Sequence, residues 1–397
     1  MAERMAVTVE EIRLRNFRAF ENARLRLSDL TFLVGRNGAG KSSLLDAIAL
    51  LQEAVSDSLE NALDRRGGLN SVRRMSAGGD LDGPLGLALA MSIMLPGRAP
   101  VRVVYGFELV SVANAPYRIV ERLVTTAVSG GFERTGGDFH APGNRLDPVP
   151  PDGRLMLPLI GRSDSLWGQI LDTIRGLRAY TLSPAHMAEA REIGERTPLA
   201  RDGSNLGDVL KSIESSTDHD WIRRRLGAIT DGIVDVGAEA LLGKRMLRFV
   251  QRCAGAEIKL DASQVSQGTL RALGILVALR QRPTPSVLLV DEVENSVHPG
   301  ALAVLVDAAL ASCDRMRVVL TSHSPEVLGH PAVTGERVRV IEWRDGTSRI
   351  YCLNPETQAA INEIDTVGWM LSSNALWTSQ EPEIVSGDLL ALDDARP

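Results

Sequence analysis

The sequence predicts an α/β fold in which a mixed, mainly parallel sheet is combined with an antiparallel β subdomain and a helical insertion. First, residues 30–34 form a mostly apolar run that ends in a glycine-rich loop, and apolar residues at helical spacing follow this loop. Second, helices and short apolar strands alternate after residue 266, as in parallel sheets with crossover helices. Third, three strand-like segments between residues 85 and 127 are separated by turn residues, which predicts an antiparallel meander.

The composition is that of a soluble globular protein with an ample apolar core. The chain has 397 residues and a formal net charge of -6, with 24% charged and 4% aromatic residues. This charge excludes a uniformly basic nucleic-acid-binding protein, although local basic patches are still able to bind phosphates.

Neither a secretion signal nor a membrane segment is predicted. Three cysteines, Cys253, Cys313 and Cys352, lie far apart without CxxC spacing, which fits neither a disulfide framework nor a zinc site. The N-terminus lacks the apolar core of a signal peptide, and the longest apolar run, residues 85–95, is too short to span a bilayer. We therefore expect a cytoplasmic protein without a membrane partner.

The element pattern predicts one composite domain over residues 1–345 and a short C-terminal extension over residues 346–397. Within the composite domain we expect an N-terminal lobe over residues 1–128, which holds the glycine-rich loop and the antiparallel strands. A mostly helical insertion would follow over residues 129–255, and a C-terminal lobe over residues 256–345.

The individual elements follow from hydrophobic periodicity. Residues 8–15, 23–27 and 30–34 are predicted strands, residues 42–53 a helix, and residues 57–79 a surface loop or short helix. Residues 129–153 are a predicted loop or hairpin tip. The remaining predictions are helices over residues 163–177, 205–227, 269–281 and 300–311, and strands over residues 287–290, 317–320 and 338–343.

Residues 35–42, Gly-Arg-Asn-Gly-Ala-Gly-Lys-Ser, fit the phosphate-binding pattern GxxxxGK[ST] between a strand and a helix. The glycines leave backbone N–H groups free to surround phosphates, and the helix dipole adds to the attraction. Lys41, one of only four lysines, would neutralise the β- and γ-phosphates of ATP, and the Ser42 hydroxyl would bind Mg²⁺. The predicted nucleotide-binding residues of this segment are Gly35, Asn37, Gly38, Ala39, Gly40, Lys41, Ser42 and Ser43.

Three further elements carry chemistry. Asp291 and Glu292 follow the apolar run 287–290; Asp291 would bind Mg²⁺, and Glu292 would activate the attacking water. His323 comes directly after the next predicted strand, where it would reach the γ-phosphate. Finally, Ser266 and Gly268 open a helix with a serine cap and a glycine suited to close phosphate approach.

The four elements, in this order, resemble those of the ABC-type ATPases, and more narrowly the predicted ATPases related to RecF and to the ATPase half of OLD-family proteins. The residues that carry the resemblance, which covers roughly residues 8–345, are 12–20, 202–206, 266–269, 291–294, 298–299 and 321–325.

This resemblance implies a head-to-tail homodimer in which each ATP is enclosed by the loop of one subunit and the signature residues of the other. Ser266 and Gly268 would then contact the partner's γ-phosphate, with Glu292 as the base and His323 as the switch residue. OLD-family chains carry a C-terminal nuclease domain, but residues 346–397 are too short for one and lack its acidic cluster. Any nuclease is therefore expected to act in trans.

Two features depart from the ABC-type pattern. A Q-loop glutamine should lie between the loop and the signature, but none of the candidates, Gln52, Gln169, Gln251 and Gln264, has the expected context, and it stays unassigned. The D-loop aspartate is replaced within residues 295–298, Asn-Ser-Val-His.

Three functions follow as hypotheses. The first is ATP hydrolysis that drives dimerisation and is coupled to DNA or to an effector protein, in DNA repair or phage defence. The second is an ATP-gated sensor or scaffold with negligible turnover, which Glu292 and His323 argue against. The third is the ATPase subunit of a transporter, disfavoured because such chains usually have a clear Q-loop and lack a His-Pro pair such as His298-Pro299.

Each of the other charged clusters has both a functional and a structural interpretation. Arg65-Arg66, Arg73-Arg74 and Arg223-Arg224-Arg225 would contact DNA phosphates or, more commonly, form solvated faces and ion pairs. Residues 218–220, Asp-His-Asp, resemble a metal pair but are better explained as a cap of the helix that starts near Trp221.

Overall fold

The computed structural model describes residues 6–75, 83–94, 99–113, 115–126, 130–141, 153–161, 165–194, 198–363 and 365–392. The strands are β1 (Ala6–Phe17), β2 (Phe20–Arg26), β3 (Leu30–Val34), β4 (Leu85–Met94), β5 (Val101–Val112), β6 (Ala115–Thr125), β7 (Phe132–Thr135), β8 (Asp138–His140), β9 (Leu177–Tyr180), β10 (Arg191–Glu192), β11 (Ile233–Leu241), β12 (Lys244–Cys253), β13 (Ala256–Asp261), β14 (Val287–Val290), β15 (Arg317–Ser322), β16 (Val338–Arg344) and β17 (Thr347–Tyr351).

The helices surround these strands. They are α1 (Lys41–Ser56), α2 (Leu59–Asp64), α3 (Leu69–Val72), α4 (Leu157–Ile160), α5 (Leu166–Arg175), α6 (Pro184–Ala188), α7 (Leu206–Ile213), α8 (Thr217–Ile229), α9 (Gln267–Arg280), α10 (Pro299–Leu310), α11 (Pro325–Leu328), α12 (Pro355–Glu363) and α13 (Val367–Ser372).

One sheet, called the parallel sheet below, has the strand order β17-β16-β3-β15-β14-β9, and only β17 runs antiparallel to its neighbour. Its central strands β3 and β14 are fully buried because helices cover both faces, as is usual for parallel sheets. Leu33 and Leu289 pack in the core that contains α1, whereas Phe32 and Leu288 pack in the core that contains α9 and α10. The carboxyl ends of β3, β14 and β15 therefore meet at one edge.

A second sheet, the antiparallel sheet, has the order β2-β1-β4-β5-β6-β7-β8 and confirms the predicted meander. It shares an apolar core with α1, where Leu14 and Leu89 from the sheet meet Leu44 and Ile48 from the helix. This shared core holds the antiparallel subdomain against the first turns of the helix that follows the glycine-rich loop.

The segment predicted as a mostly helical insertion contains α4 to α8 but also several strands, so the prediction is wrong on its helical content. Within it, β9 joins the parallel sheet beside β14, and β10, β11 and β12 form most of a third sheet with β13. The predicted helix over residues 205–227 is two helices, because the chain turns at Ser215, whose φ is 62°. Ser216, rather than Asp218, caps α8, and Asp218 pairs with Arg282 and Arg315.

The predicted boundary after residue 345 falls inside the β16–β17 hairpin, so the parallel sheet continues into the supposed extension. Further along, Val385, Leu389 and Leu390 are buried against Ala88 and Val104 of the antiparallel sheet. This segment is therefore packed onto the lobe that carries the glycine-rich loop. Among the residues that the structure describes, no helix has the length and apolar character needed to cross a bilayer.

Candidate functional site

The glycine-rich loop connects β3 to α1 and turns tightly enough to need glycine. Gly38 has φ 79° and Gly40 has φ 111°, both in the left-handed region that side chains rarely adopt. Lys41 is buried, and its Nζ donates to the carbonyl oxygens of Gly35 at 2.5 Å and Arg36 at 3.2 Å. The lysine thus closes the loop around itself.

The N-terminus of α1 has backbone N–H groups that no side chain of the described residues caps. These first N–H groups of the helix are therefore open to a bound anion. Ser42 is exposed and Ser43 is half-buried in the first turn, next to the exposed Asn37 and Gly38 of the loop. These donors, most of them from the backbone, are of the kind that a phosphate site requires.

The β16–β17 hairpin supports the loop from behind. A Cβ at Gly35 would lie 2.6 Å from the Ile341 carbonyl oxygen, and a Cβ at Gly40 would lie 2.6 Å from Ser348 Oγ. Both contacts are too close for a side chain, so two of the motif glycines are also required by packing.

The two acidic residues end β14, as predicted from the apolar run before them. Asp291 is buried, and Thr321 Oγ1 at the end of β15 donates to Asp291 Oδ1 at 2.8 Å. The Glu292 backbone N–H donates in turn to Thr321 Oγ1 at 2.7 Å. Thr321 therefore fixes both acidic residues, a role that the sequence did not reveal.

Glu292 has φ 45°, an uncommon value for a residue with a side chain. Such strain persists only where neighbouring groups hold the backbone, and it is concentrated at functional sites. The half-exposed Glu292 side chain follows the buried Asp291, so the two acids face different surroundings.

His323 lies just past β15 and is paired with Glu294. Its Nδ1 is 2.9 Å from Glu294 Oε1, and its backbone N–H donates to the same oxygen at 2.7 Å. A cavity of about 710 Å³ is lined by His323 together with Gly35, Asn37 and Ala39 of the loop. The structure therefore brings His323 and the loop together at one opening.

The signature residues open α9 and face outward. Ser266 Oγ accepts the Thr269 backbone N–H at 3.1 Å, which confirms the predicted serine cap. Ser266 and Gln267 are exposed. A Cβ at Gly268 would lie 2.3 Å from the Ser296 carbonyl oxygen, so this glycine is required by packing within the chain, whatever its contact with a phosphate.

The segment that follows β9 is in the place where a Q-loop glutamine would be expected. The segment after β9 lies beside the carboxyl end of β14 and begins with Thr181, Leu182 and Ser183, without a glutamine. Sequence reasoning missed this segment because it did not detect β9. The four glutamines considered from the sequence lie elsewhere: Gln52 in α1, Gln169 in α5, Gln251 in β12 and Gln264 in a 3-10 turn.

Two of the basic clusters are accounted for inside the molecule. Arg66 pairs with Asp46 and Glu53, and Arg65 pairs with Asp57. Arg73 is buried and donates to Ser111 Oγ and to the Leu109 carbonyl oxygen. The third cluster, Arg223 to Arg225, remains at the surface of α8.

Comparisons with known proteins agree with this geometry. Residues 8–73 match a family model described as "AAA ATPase domain", and residues 190–329 match one described as "AAA domain, putative AbiEii toxin, Type IV TA system". Neither description names a nuclease. No curated protein gives a significant match.

Two solved structures share the fold at low sequence identity. The SMC head bound to the C-winged helix domain of ScpA is 13% identical, with a TM-score of 0.53 over 88% of this chain and 99% of that one. The Pyrococcus furiosus Smc head, with an extended coiled coil and bound to the C-terminal domain of ScpA, is 12% identical, with a TM-score of 0.51 over 90% of this chain and 99% of that one.

Fold and loop together define a P-loop nucleotide-binding ATPase domain. Within that class, the two matched family models are both described as AAA domains, and the fold is the one seen in the SMC heads. The predicted fold class is confirmed.

Proposed function

We propose that this chain binds ATP with Mg²⁺ in the loop 35–42 and hydrolyses it with Glu292 as general base. One observation carries the proposal: a phosphate-binding loop, a buried aspartate, a strained glutamate and a histidine meet at the carboxyl edge of a single sheet. The two family matches support ATPase chemistry in general terms.

The donor set fits a magnesium ion. Asp291 offers a buried carboxylate and Ser42 an exposed hydroxyl, and Mg²⁺ prefers oxygen ligands of this kind. When bound, the ion neutralises charge on the β- and γ-phosphates. Thr321 keeps one oxygen of Asp291 occupied by a hydrogen bond, which orients the carboxylate.

Lys41, Glu292 and His323 have separate roles in the proposed hydrolysis. Lys41 exchanges its two carbonyl partners for phosphate oxygens, and Glu292 accepts the proton of the attacking water. His323 has its Nδ1 paired with Glu294, and it would donate to the γ-phosphate from Nε2 when both ring nitrogens carry a proton. A sensor or scaffold with negligible turnover would have no use for the strained Glu292.

The test is the matched pair Glu292→Gln and Glu294→Gln. Loss of the general base in Glu292→Gln should lower phosphate release about 100-fold or more while ATP affinity stays within about threefold. Glu294→Gln keeps a hydrogen-bond acceptor for His323 and should lose much less. Unchanged phosphate release in Glu292→Gln would exclude the assigned base.

We further propose that two copies assemble head to tail around ATP. Supporting this, Ser266 and Gln267 lie exposed at the N-terminus of α9, an end suited to a phosphate of another subunit. Specific activity should therefore rise with protein concentration, and Glu292→Gln should accumulate an ATP-bound dimer in light scattering. A monomer with full turnover at all concentrations would exclude this assembly.

For the coupled partner, the surface cluster on α8 favours DNA. The guanidinium groups of Arg225 and Arg280 lie over the Trp221 ring, at 3.8 and 3.9 Å from the ring centroid, and Arg224, in the same helix as Arg225, is exposed. In the described part of the chain, neither Arg225 nor Arg280 has a carboxylate within salt-bridge distance. Arginines that are held against an aromatic ring and have no salt-bridge partner suit a phosphate backbone.

A duplex-binding assay tests this surface. Replacing both Arg225 and Arg280 by alanine should weaken binding and lower the slope of log affinity against log salt by about two. The control is Arg252→Ala, since Arg252 is exposed but already paired with Glu257 at 2.8 Å. Equal salt slopes in all three proteins would exclude DNA contact here.

A protein effector is the other partner that the proposal includes, among them a nuclease acting in trans. The two SMC heads named above were solved with a domain of ScpA bound, which supports a protein partner for this fold. We place the activity in the cytoplasm, in DNA repair or phage defence; the toxin–antitoxin wording of one matched family supports a defence setting.

A further inference from the structure

Arg271 lies in the second turn of α9, in the interior of the molecule. Its Nη1 donates to the Leu182 carbonyl oxygen at 2.6 Å, and its Nη2 donates to the carbonyl oxygens of Asp291 at 2.6 Å and Glu292 at 2.9 Å. The residue is only 3% exposed. One buried guanidinium thus joins the signature helix, the segment that follows β9 and the turn that carries the proposed base.

Among the described residues, the side chain of Arg271 is bound by main-chain carbonyls alone, and its Nε has no hydrogen-bond partner. Burial of the charge lowers the pKa of Arg271, and the nearby carboxylates of Asp291, Glu292 and Glu294 oppose that effect. An apolar side chain of similar volume would avoid the desolvation cost. The three carbonyl contacts therefore point to a positional role beyond packing.

The residue that most needs support is Glu292. With φ 45°, its peptide is strained and must be held by its surroundings. Thr321 Oγ1 accepts the Glu292 N–H on one side, and Arg271 binds the Glu292 carbonyl on the other. Both main-chain groups of the glutamate are thereby fixed.

We infer that Arg271 is a positioning residue for hydrolysis, which holds Glu292 in its strained conformation from the helix that carries the signature. The inference rests on the proposed role of Glu292 as base. Arg271 is five residues past Ser266, or about 8 Å along the helix. A movement of the signature end of α9 would therefore be transmitted to the Glu292 peptide.

The experiment compares Arg271→Gln and Arg271→Lys with a matched control, Arg134→Gln. Arg134 is also fully buried and also donates to main-chain carbonyls, those of Gly136 and Arg154, but it lies in the antiparallel sheet. Each variant is assayed for affinity toward a fluorescent ATP analogue, for thermal unfolding and for phosphate release.

Arg271→Gln should lower kcat about 30- to 100-fold, because misplacement of a reacting group by about 1 Å costs that much, with the affinity for the analogue within about threefold. Arg271→Lys keeps the charge and reaches fewer carbonyls, so it should recover part of kcat. Arg134→Gln should lower the melting temperature and leave kcat within about twofold.

Wild-type kcat in Arg271→Gln would overturn the inference, and so would parallel losses of kcat and ATP affinity. If Arg271→Gln fails to fold, the inference is tested with Arg271→Lys instead. A wild-type kcat in Arg271→Lys would then contradict it. Adding Arg271→Gln to Glu292→Gln should cause little further loss, since both act through one group. If Glu292→Gln itself retains wild-type turnover, the proposed base fails, and this result is distinct from a failure of Arg271 alone.

Discussion

The loop 35–42 and the signature end of α9 are both glycine-containing helix starts, but the structure supports them differently. The loop is closed by its own Lys41 and supported by the β16–β17 hairpin of the same chain. The signature end exposes Ser266 and Gln267 to the outside. In the proposed site, one half is therefore complete within the chain, and the other half would come from a second copy.

Gly38 of the loop and Gly268 of the signature end are required for different reasons. Gly38 has φ 79°, and a Cβ there would meet no described atom within 4 Å, so its requirement is conformational. Gly268 has ordinary backbone angles, and a Cβ there would collide with the Ser296 carbonyl oxygen at 2.3 Å. A motif glycine is thus not by itself evidence of close phosphate approach.

Substitution of Lys41 should have the largest effect, because this residue belongs to the half of the site that lies within one chain. Lys41→Ala should weaken ATP binding about 100-fold or more, because it removes a charge-assisted contact to the phosphates in a site built within the chain. Equilibrium binding of a fluorescent ATP analogue to the monomer measures this. The control is Lys211→Ala, since Lys211 is exposed and paired with Glu214. Equal affinities in the two variants would contradict a complete half-site.

Gly268→Ala tests whether the glycine at the start of α9 is required by packing within the chain. The added methyl group collides with backbone, so the variant should lose about 1–3 kcal/mol of unfolding free energy, measured by denaturant titration. Gly300→Ala serves as control, because its nearest contact is a side-chain atom of His298 at 3.3 Å. A Gly268→Ala protein with wild-type stability and lost dimerisation would instead make the glycine a phosphate contact only.

Ser266→Ala should have the smallest effect on folding. Loss of the N-cap should cost about 1 kcal/mol of stability, because Thr269 N–H loses its acceptor. If Ser266 also serves a second subunit, specific activity at low protein concentration should fall by more than at high concentration. A uniform loss at all concentrations would limit Ser266 to capping.

Much of the fold was predictable because it is encoded over short stretches of chain. The bounds of β3 and β14 agree with the predictions, since each is an apolar run closed by turn or acidic residues. β9 was missed because it has only four residues and is recognised by its pairing with β14, which lies far along the chain. β17 was missed as well, although its hairpin partner β16 directly precedes it in the chain.

The sequence by itself determined the phosphate-binding loop, the acidic pair Asp291-Glu292 and the position of His323. Each is a run of consecutive residues attached to an apolar strand, so local spacing is sufficient to find it. The tertiary structure alone decided how these residues are held. The Thr321–Asp291 bond, the His323–Glu294 pair and the Arg271 contacts join residues 20 or more positions apart, and only the packing of β9, β14, β15 and α9 brings them together.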